Sequence, residues 1–361
     1  MKKLLIMMPE LYHGGAEKQF RSLIQGIDKS KYSIYVIDEG MFDGSKEFNA
    51  QFMNSNPEVD FISLNGLHAL NGKMLRWFST ILLMLKMVPI IFRIKPDIGI
   101  VYTTVDMKIL PLLKVLKTTT VFSERNSGIY GPAFFRRNNM FYKSANHIIC
   151  NSMLAYQHMS IKYPNVSYIP NGIDYHEMIK KKKNERFIIM IPARIARVKN
   201  QIIALKAIDI LKDDSILLRI IGGVEDQDYY NELARFVREC KLEKNVEFVS
   251  YTDNIIVEYE RCDLVILPSQ SEGFSNVILE SYMYGRECLL SRIEMNTSIA
   301  SQNQRFFEID DYKTLAQLIM EIMNLTDEEI QIECIQNHQY VVENFSMKTM
   351  LERYQYLLQE F

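Results

Sequence analysis

Strand-like apolar runs alternate with helical segments from one end of this chain to the other. The first series has apolar runs at 4–8, 32–38, 59–64, 98–103, 119–123, 147–151 and 166–169. Helical segments stand between them at 16–27, at 71–93 (with Pro89 as a place to bend) and at 134–145. A second series has runs at 187–191, 216–221, 246–250, 264–267, 287–291 and 305–308, with helical segments at 201–212, 229–240, 255–261, 313–323 and 327–344. Thr326 caps the last of these, and a final amphipathic helix runs from the cap Ser346 to about 359. Such alternation predicts parallel sheets with helices on both faces, an α/β chain. At 361 residues, with 48% hydrophobic and 24% charged, the chain is long enough for two domains with sizeable cores.

Composition removes several classes. A formal charge of −2 gives no sign of a nucleic-acid partner. Cys150, Cys240, Cys262, Cys288 and Cys334 are scattered, which fits neither a disulfide framework nor a zinc site and suits a reducing cytosol. The apolar run in the first ten residues is too short for a signal peptide. No run reaches the ~18 apolar residues of a membrane span. The segment Pro170-Asn171-Gly172-Ile173-Asp174, followed by Lys180–Lys183, reads as the interdomain connection, with the lysine run a solvated linker.

Chemistry concentrates in Ser271–Arg292. The apolar run 264–267 ends at Pro268, Glu272 and Gly273 turn, and an apolar pattern of helical character follows, with Ser275 or Asn276 as its cap and Gly285 as its stop. Glu272 and Glu280 have seven residues between them. On one straight helix they would stand ~80° apart. Glu272 precedes the cap, so it is free to bend over the helix N-terminus, beside N–H groups and the positive dipole end. A ligand with a phosphate for the dipole and hydroxyls for the carboxylates suits that arrangement, and a nucleotide sugar is one. A strand–turn–helix with two solvated glutamates satisfies the same residues. Near the start, Gly14 and Gly15 lie between the first apolar run and the first helix, where a backbone can approach an anion closely.

Taken in order, these features resemble a GT-B glycosyltransferase of family 4 over nearly the whole chain. They are Gly14-Gly15-Ala16-Glu17, Pro170-Asn171-Gly172-Ile173-Asp174, Arg194 with Lys199 five residues on, Gly222-Gly223, the Glu272/Glu280 motif and Phe345-Ser346. The resemblance implies two Rossmann-like doubly wound parallel-sheet domains facing across a cleft: 1–170 on the acceptor side, 171–343 on the donor side, and 344–361 crossing back to the first. It implies a retaining transfer of a sugar from a nucleotide-sugar donor, first UDP-hexose or UDP-N-acetylhexosamine. The acceptor is a glycan or lipid-linked glycan, and the setting is bacterial surface polysaccharide such as capsule or O-antigen. Arg194 and Lys199 resemble the pair that neutralises the leaving diphosphate, which would replace a metal ion, so no metal and no cofactor is expected. Glu280 resembles the carboxylate that takes the ribose hydroxyls and Glu272 the one beside the reacting carbon. The backbone of Gly273, Phe274, Ser275 and Asn276, with the Gly14-Gly15 loop, cradles phosphate and sugar oxygens.

One departure stands out. Many relatives carry a histidine in the first domain facing the donor sugar; here the run 119–123 ends in Ser123-Glu124-Arg125-Asn126. Glu124, Arg125 and His13 are the candidates for lining the cleft, a structural ion pair being the other reading of the first two. Segments 71–95 and 134–143 mix cations with large apolar residues, as helices at a membrane interface do. They read as helices that cover a sheet with cations snorkelling outward, the alternative being a cytoplasmic protein with peripheral contact on the inner leaflet. A sugar-nucleotide epimerase and an inert binding subunit are the competing functions. The charge set Arg194, Lys199, Glu272 and Glu280 argues against the second.

Overall fold

The computed structural model describes residues 1–8, 15–38, 46–64, 73–102, 107–126, 132–250, 252 and 254–361. They form two compact units, Met1–Gly172 with Met347–Phe361, and Ile173–Ser346. Both are built on parallel sheets, the α/β architecture that the alternation predicts.

In the first unit the strands are β1 (Lys2–Met8), β2 (Tyr32–Asp38), β3 (Asp60–Ser63), β4 (Ile98–Tyr102), β5 (Thr119–Glu124), β6 (His147–Cys150) and β7 (Val166–Tyr168). Their spatial order is β3-β2-β1-β4-β5-β6-β7. Alternate side chains of each strand go to opposite faces. Leu4, Ile6, Val36, Ile100 and Val121 join one buried cluster, and Leu5, Met7, Ile37, Val101 and Phe122 the other. The last helix, Met347–Gln359, belongs to this unit and buries Met347, Met350, Tyr354, Leu357 and Leu358 in the first cluster. Each such side chain contributes about 1.5–3 kcal/mol. Gly172 is needed where this helix begins. A Cβ there would lie 2.7 Å from the Met347 Cα, and the Gly172 peptide is held from the other side by the Gln19 amide, which donates at 2.7 Å and accepts at 2.9 Å.

The second unit holds β8 (Phe187–Pro192), β9 (Ile216–Ile221), β10 (Val246–Val249), β11 (Leu264–Leu267), β12 (Glu287–Ser291) and β13 (Arg305–Phe307), in the order β10-β9-β8-β11-β12-β13. From β8 the chain first winds outward through β9 and β10. It then returns to the other side of β8 and winds outward again through β11, β12 and β13. The strand order therefore reverses between β8 and β11, whose pairing aligns Leu264 with Ile189. In open parallel sheets the crevice outside the carboxyl ends at such a reversal is where ligands bind.

Several elements differ from the sequence reading. The helices Lys46–Asn54, Leu110–Val115, Met153–Ser160 and Glu294–Ile299 are present where no helix is expected. At six to nine residues each, they are too short to display a 3.6-residue repeat. The long helix does run through Pro89 as expected, from Lys73 to Ile94. The lysine run is not a free linker. Lys181 and Lys182 pair with Asp263 and Glu260 at 2.6 and 2.5 Å on the second unit's own surface. Thr326 caps Asp327–Phe345 as expected, and a reciprocal bond from Glu329 completes a capping box.

One buried carboxylate makes this unit sensitive to pH. Glu287 opens β12 and is buried. Arg305, opening β13, forks onto Glu333 at 2.6 and 2.8 Å and reaches Glu287 only at 3.4 Å. Burial, and then the charge of Glu333, raise the Glu287 carboxyl to about 7. The unfolded chain releases that proton at an ordinary carboxylate pKa, about 4.3. The folded state therefore holds the extra proton between those values, and stability falls as pH rises through that window. We expect the melting temperature of the wild type to drop between pH 5 and 8 more steeply than that of Glu287→Gln. Parallel curves would remove Glu287 as the cause.

Candidate active site in the second unit

The carboxyl ends of β8 and β11 place the charged residues. After β8 the backbone turns beneath Gly222. Ala193 N donates to Ile221 O at 3.0 Å and Ile195 N to Gly223 O at 2.8 Å. A Cβ on Gly222 would lie 2.4 Å from Ala193 O and 2.8 Å from Arg194 N. Only glycine admits this approach, which sets the Arg194 backbone. The Arg194 side chain is exposed and ion-paired with Glu225. A short 3-10 helix, Arg197–Lys199, follows. It ends at Asn200, whose left-handed φ of 53° reverses the chain into the helix Gln201–Leu211 while its amide donates to Ile309 O at 3.0 Å.

After β11, residues 268–275 form the loop that carries Glu272. Lys199 Nζ donates to Glu272 Oε1 at 2.6 Å, and the two side chains are only 17% and 11% exposed. A charge-assisted bond so shielded is stronger than a surface pair. The two loops are also joined directly, Gln270 N donating to Val198 O at 2.8 Å. Buried hydrogen bonds pin both ends of the Glu272 loop. Ser291 Oγ, at the end of β12, donates to Ser269 O at 2.6 Å. Asn296 Nδ2 donates to Ser291 O at 3.0 Å, and Asn296 Oδ1 accepts from Ser275 Oγ at 2.8 Å. Ser269, Ser275, Ser291 and Asn296 are all buried.

That network corrects one expectation. Ser275 occupies the N-cap position of the helix Asn276–Met283, but its hydroxyl makes no capping bond, because it is committed to Asn296. Gly285 does stop the helix, at φ 69°. Arg286 N donates to Ser281 O and Gly285 N to Tyr282 O, at 2.8 and 3.1 Å.

Glu280 lies within the helix, while Glu272 stands in the loop before it. The hydroxyl of fully buried Tyr259 faces Glu280 Oε2 at 3.5 Å. Burial, and then the charge of Glu280, push that hydroxyl well above its ordinary range, so Tyr259 keeps its proton and acts as a donor. Tyr284 packs against Tyr259 with ring centroids 4.8 Å apart. It too is raised to about 12, by burial and then by Glu280 and Asp174. Phe274 sits edge-on to Phe345 at 6.4 Å, and Gly273 and Asn276 are half-buried beside it.

The first-unit candidates have other surroundings. His13 and Gly14 lie outside the described residues, and Gly15 opens the helix Gly15–Gly26. Glu124 is fully buried and accepts from Tyr142 OH at 2.9 Å and Asn126 N at 3.0 Å. Arg125 donates to Asn171 Oδ1 at 2.8 Å and Tyr354 OH at 3.0 Å, over the face of Tyr102.

Residues 174–340 match the family model described as glycosyl transferases group 1. The match covers most of the second unit. Among curated proteins, the capsular polysaccharide biosynthesis glycosyltransferase CapH of Staphylococcus aureus is 25% identical over 164 residues, 43% of this chain and 45% of that protein. The N-acetylgalactosamine-N,N'-diacetylbacillosaminyl-diphospho-undecaprenol 4-alpha-N-acetylgalactosaminyltransferase of Campylobacter jejuni is 27% identical over 152 residues, 40% of each chain. These matches span less than half the length of either relative. Among solved structures, Anabaena Alr3699/HepE in complex with UDP and glucose superposes with a TM-score of 0.79 at 17% identity, covering 100% of both chains. That likeness shows the fold, which is GT-B. Arg194, Lys199, Glu272 and Glu280 all fall inside the matched residues.

Asn296 is the keystone of the Glu272 loop. Asn296→Ala leaves the buried Ser275 hydroxyl without its partner and takes one of two donors from the Ser291 carbonyl, which keeps Ile293 N at 2.8 Å; the change costs about 1–3 kcal/mol. We expect a matching fall in unfolding free energy, with Ser275→Ala and Asn296→Ala non-additive in a double-mutant cycle. Additive effects would show that the two side chains act separately.

Proposed function

We propose that this chain transfers a sugar from a nucleotide-sugar donor to a glycan or lipid-linked glycan acceptor during bacterial surface polysaccharide assembly. One observation carries the reading: Arg194, Lys199 and Glu272 stand on the loops that follow β8 and β11, at the strand-order reversal of the unit that the family model matches. The capsule role of CapH and the undecaprenol-linked acceptor in the Campylobacter transferase's name support the setting. UDP and glucose on Anabaena HepE support a UDP-linked donor.

In this mechanism the bond between the anomeric carbon and the diphosphate oxygen breaks, and the nucleoside diphosphate leaves with the electron pair. Arg194 and Lys199 meet its growing charge, so no metal ion is required. Arg194 is exposed and Lys199 is already close to the reacting end through Glu272. Removing one such preorganised charge costs about 100-fold or more in rate. Glu272, held at its place by Lys199 and the pinned loop, lies against the donor sugar. Glu280 takes the ribose hydroxyls, oriented by Tyr259. The N–H groups of Gly273–Asn276, at the positive end of the helix Asn276–Met283, receive phosphate oxygens. The acceptor hydroxyl attacks from the face the diphosphate leaves, and a donor phosphate oxygen takes its proton, giving retention.

Thermal unfolding with UDP, GDP and ADP sugars, with and without EDTA, tests this reading. A donor at 100 times its dissociation constant adds about 2.7 kcal/mol of stability. We expect one nucleotide class to raise the melting temperature, EDTA to leave the rise intact, and Lys199→Ala and Glu280→Ala to abolish it. No rise with any donor, or a rise that both variants keep, would overturn the assignment.

A further inference from the structure

The loop after β9 meets the loop that carries Arg194. Ile195 and Val224 form a parallel bridge, and Glu225 N and Asp226 N both donate to Ile195 O at 3.1 Å. Asp226 accepts from Tyr229 N at 2.9 Å and so caps the helix Gln227–Glu239. Three carboxylates in this stretch face two arginines, and they sort between them. Arg197 takes Glu232 at 2.9 Å and Asp226 at 3.5 Å, with its guanidinium 5.2 Å from the centre of the Tyr229 ring. Arg194 takes Glu225. The Arg194 backbone is also held by Gln201, whose Nε2 donates to its carbonyl at 2.9 Å. Both main chains are thus fixed, and the pair opens by side-chain rotation alone.

The two cations of the proposed donor site are therefore paired in different ways. Lys199 and Glu272 are shielded from water. Arg194 and Glu225 have side chains 57% and 51% exposed, so water stabilises each of them when they part. A diphosphate and the Glu225 carboxylate offer Arg194 the same chemistry, anionic oxygens that accept from its N–H groups. They compete for one guanidinium.

We propose that Glu225 is a displaceable counterion of Arg194 that sets how firmly the departing nucleoside diphosphate is held. Arg194 leaves Glu225 as the diphosphate binds and returns to it as the diphosphate goes, so the carboxylate weakens product binding and speeds release. The proposal deepens the reading of a nucleotide-sugar donor and rests on it for its role. An exposed pair is weak, which limits the effect to about fivefold in affinity. Its sign is distinctive. A pair that served the fold alone would, when broken, leave diphosphate binding unchanged or weaker.

Calorimetric titration of the full chain with UDP, GDP, ADP and inorganic pyrophosphate, at low salt, reads this competition. We expect Glu225→Gln to bind pyrophosphate and the preferred nucleotide about three- to fivefold tighter than the wild type does. The gain should shrink as salt rises. In an Arg194→Ala background the same substitution should change affinity less than about twofold. Glu232→Gln, which takes a carboxylate from Arg197 instead, should bind as the wild type does. Unchanged melting temperatures would show that the variants are folded. Glu225→Gln binding no tighter than the wild type would overturn the proposal. So would an equal gain in Glu232→Gln or in the Arg194→Ala background, since it would then come from lost negative charge in general. A gain with pyrophosphate, without binding of any nucleotide, would overturn the nucleotide-sugar reading and keep the counterion. Nucleotide binding that Glu225→Gln leaves unaltered would overturn the counterion alone. Absence of binding of all four by every variant would overturn both.

Discussion

The adjacency of β8 and β11 is the constraint from which the second unit's chemistry follows. These strands are far apart in the chain, yet they lie side by side because the sheet winds outward from β8 in both directions. Two successive loops, one after each strand, must then leave from the same edge without crossing. The bond from Gln270 N to Val198 O closes the gap between them. Only then does Lys199 meet Glu272 at 2.6 Å. A salt bridge between two flexible loops would be worth little. Here both partners ride on backbone that is already fixed, one by Gly222 and Asn200, the other by Ser269 and Ser275, so little side-chain freedom is lost in forming the pair.

The helix Asn276–Met283 is held at its far end by a second device. Arg286 is buried, and its guanidinium donates to four carbonyl oxygens, those of Tyr259, Ile179, Tyr284 and Gly285, between 2.7 and 3.2 Å. Burial lowers its pKa, yet an arginine stays charged at any physiological pH. The cation sits beside the last carbonyls of the helix, where the dipole is negative. Through Tyr259 it also reaches the site: Arg286 holds the Tyr259 carbonyl while the Tyr259 hydroxyl faces Glu280. The far end of the helix is therefore fixed in position, and Glu280 keeps a part-buried contact with the Tyr259 hydroxyl.

Local patterns carried much of this into the sequence, and non-local ones did not. Parallel strands buried on both faces read as continuous apolar runs, so β2, β9, β11 and β12 were legible to the residue. The stop at Gly285 was legible because a left-handed residue after a helix favours glycine. Ser269, Ser291 and Asn296 were not. Each is an unremarkable polar residue in sequence, and they meet only because β11 and β12 are neighbours. Ser275 was legible as a cap by residue type. Its burial next to Asn296 overrode that preference, since a buried hydroxyl takes the partner that its neighbours leave unsatisfied. Glu124 and Arg125 show the same limit. As consecutive residues on β5 and just beyond it, they point to opposite faces of the sheet, one to Tyr142 and the other to Tyr354.

Arginine serves two purposes in this chain, and burial separates them. Arg125 and Arg286 are internal and donate to neutral acceptors. Removing either would take a donor from several buried carbonyl, amide or hydroxyl groups, so each is bound to its fold. Their value is geometric. Arg125 ties the end of β5 to Asn171 and to Tyr354 of the last helix, and so holds the segment by which the chain leaves the first unit to the helix by which it returns. Arg194 is the opposite case. It is more than half exposed, and its partner Glu225 is exposed as well. A pair so hydrated contributes at most about 1 kcal/mol, so little is lost when the guanidinium turns to another anion. A group meant to receive a diphosphate must be charged, within reach and cheap to redirect. Of these three arginines only Arg194 is exposed and lightly held, which suits the diphosphate contact proposed for it.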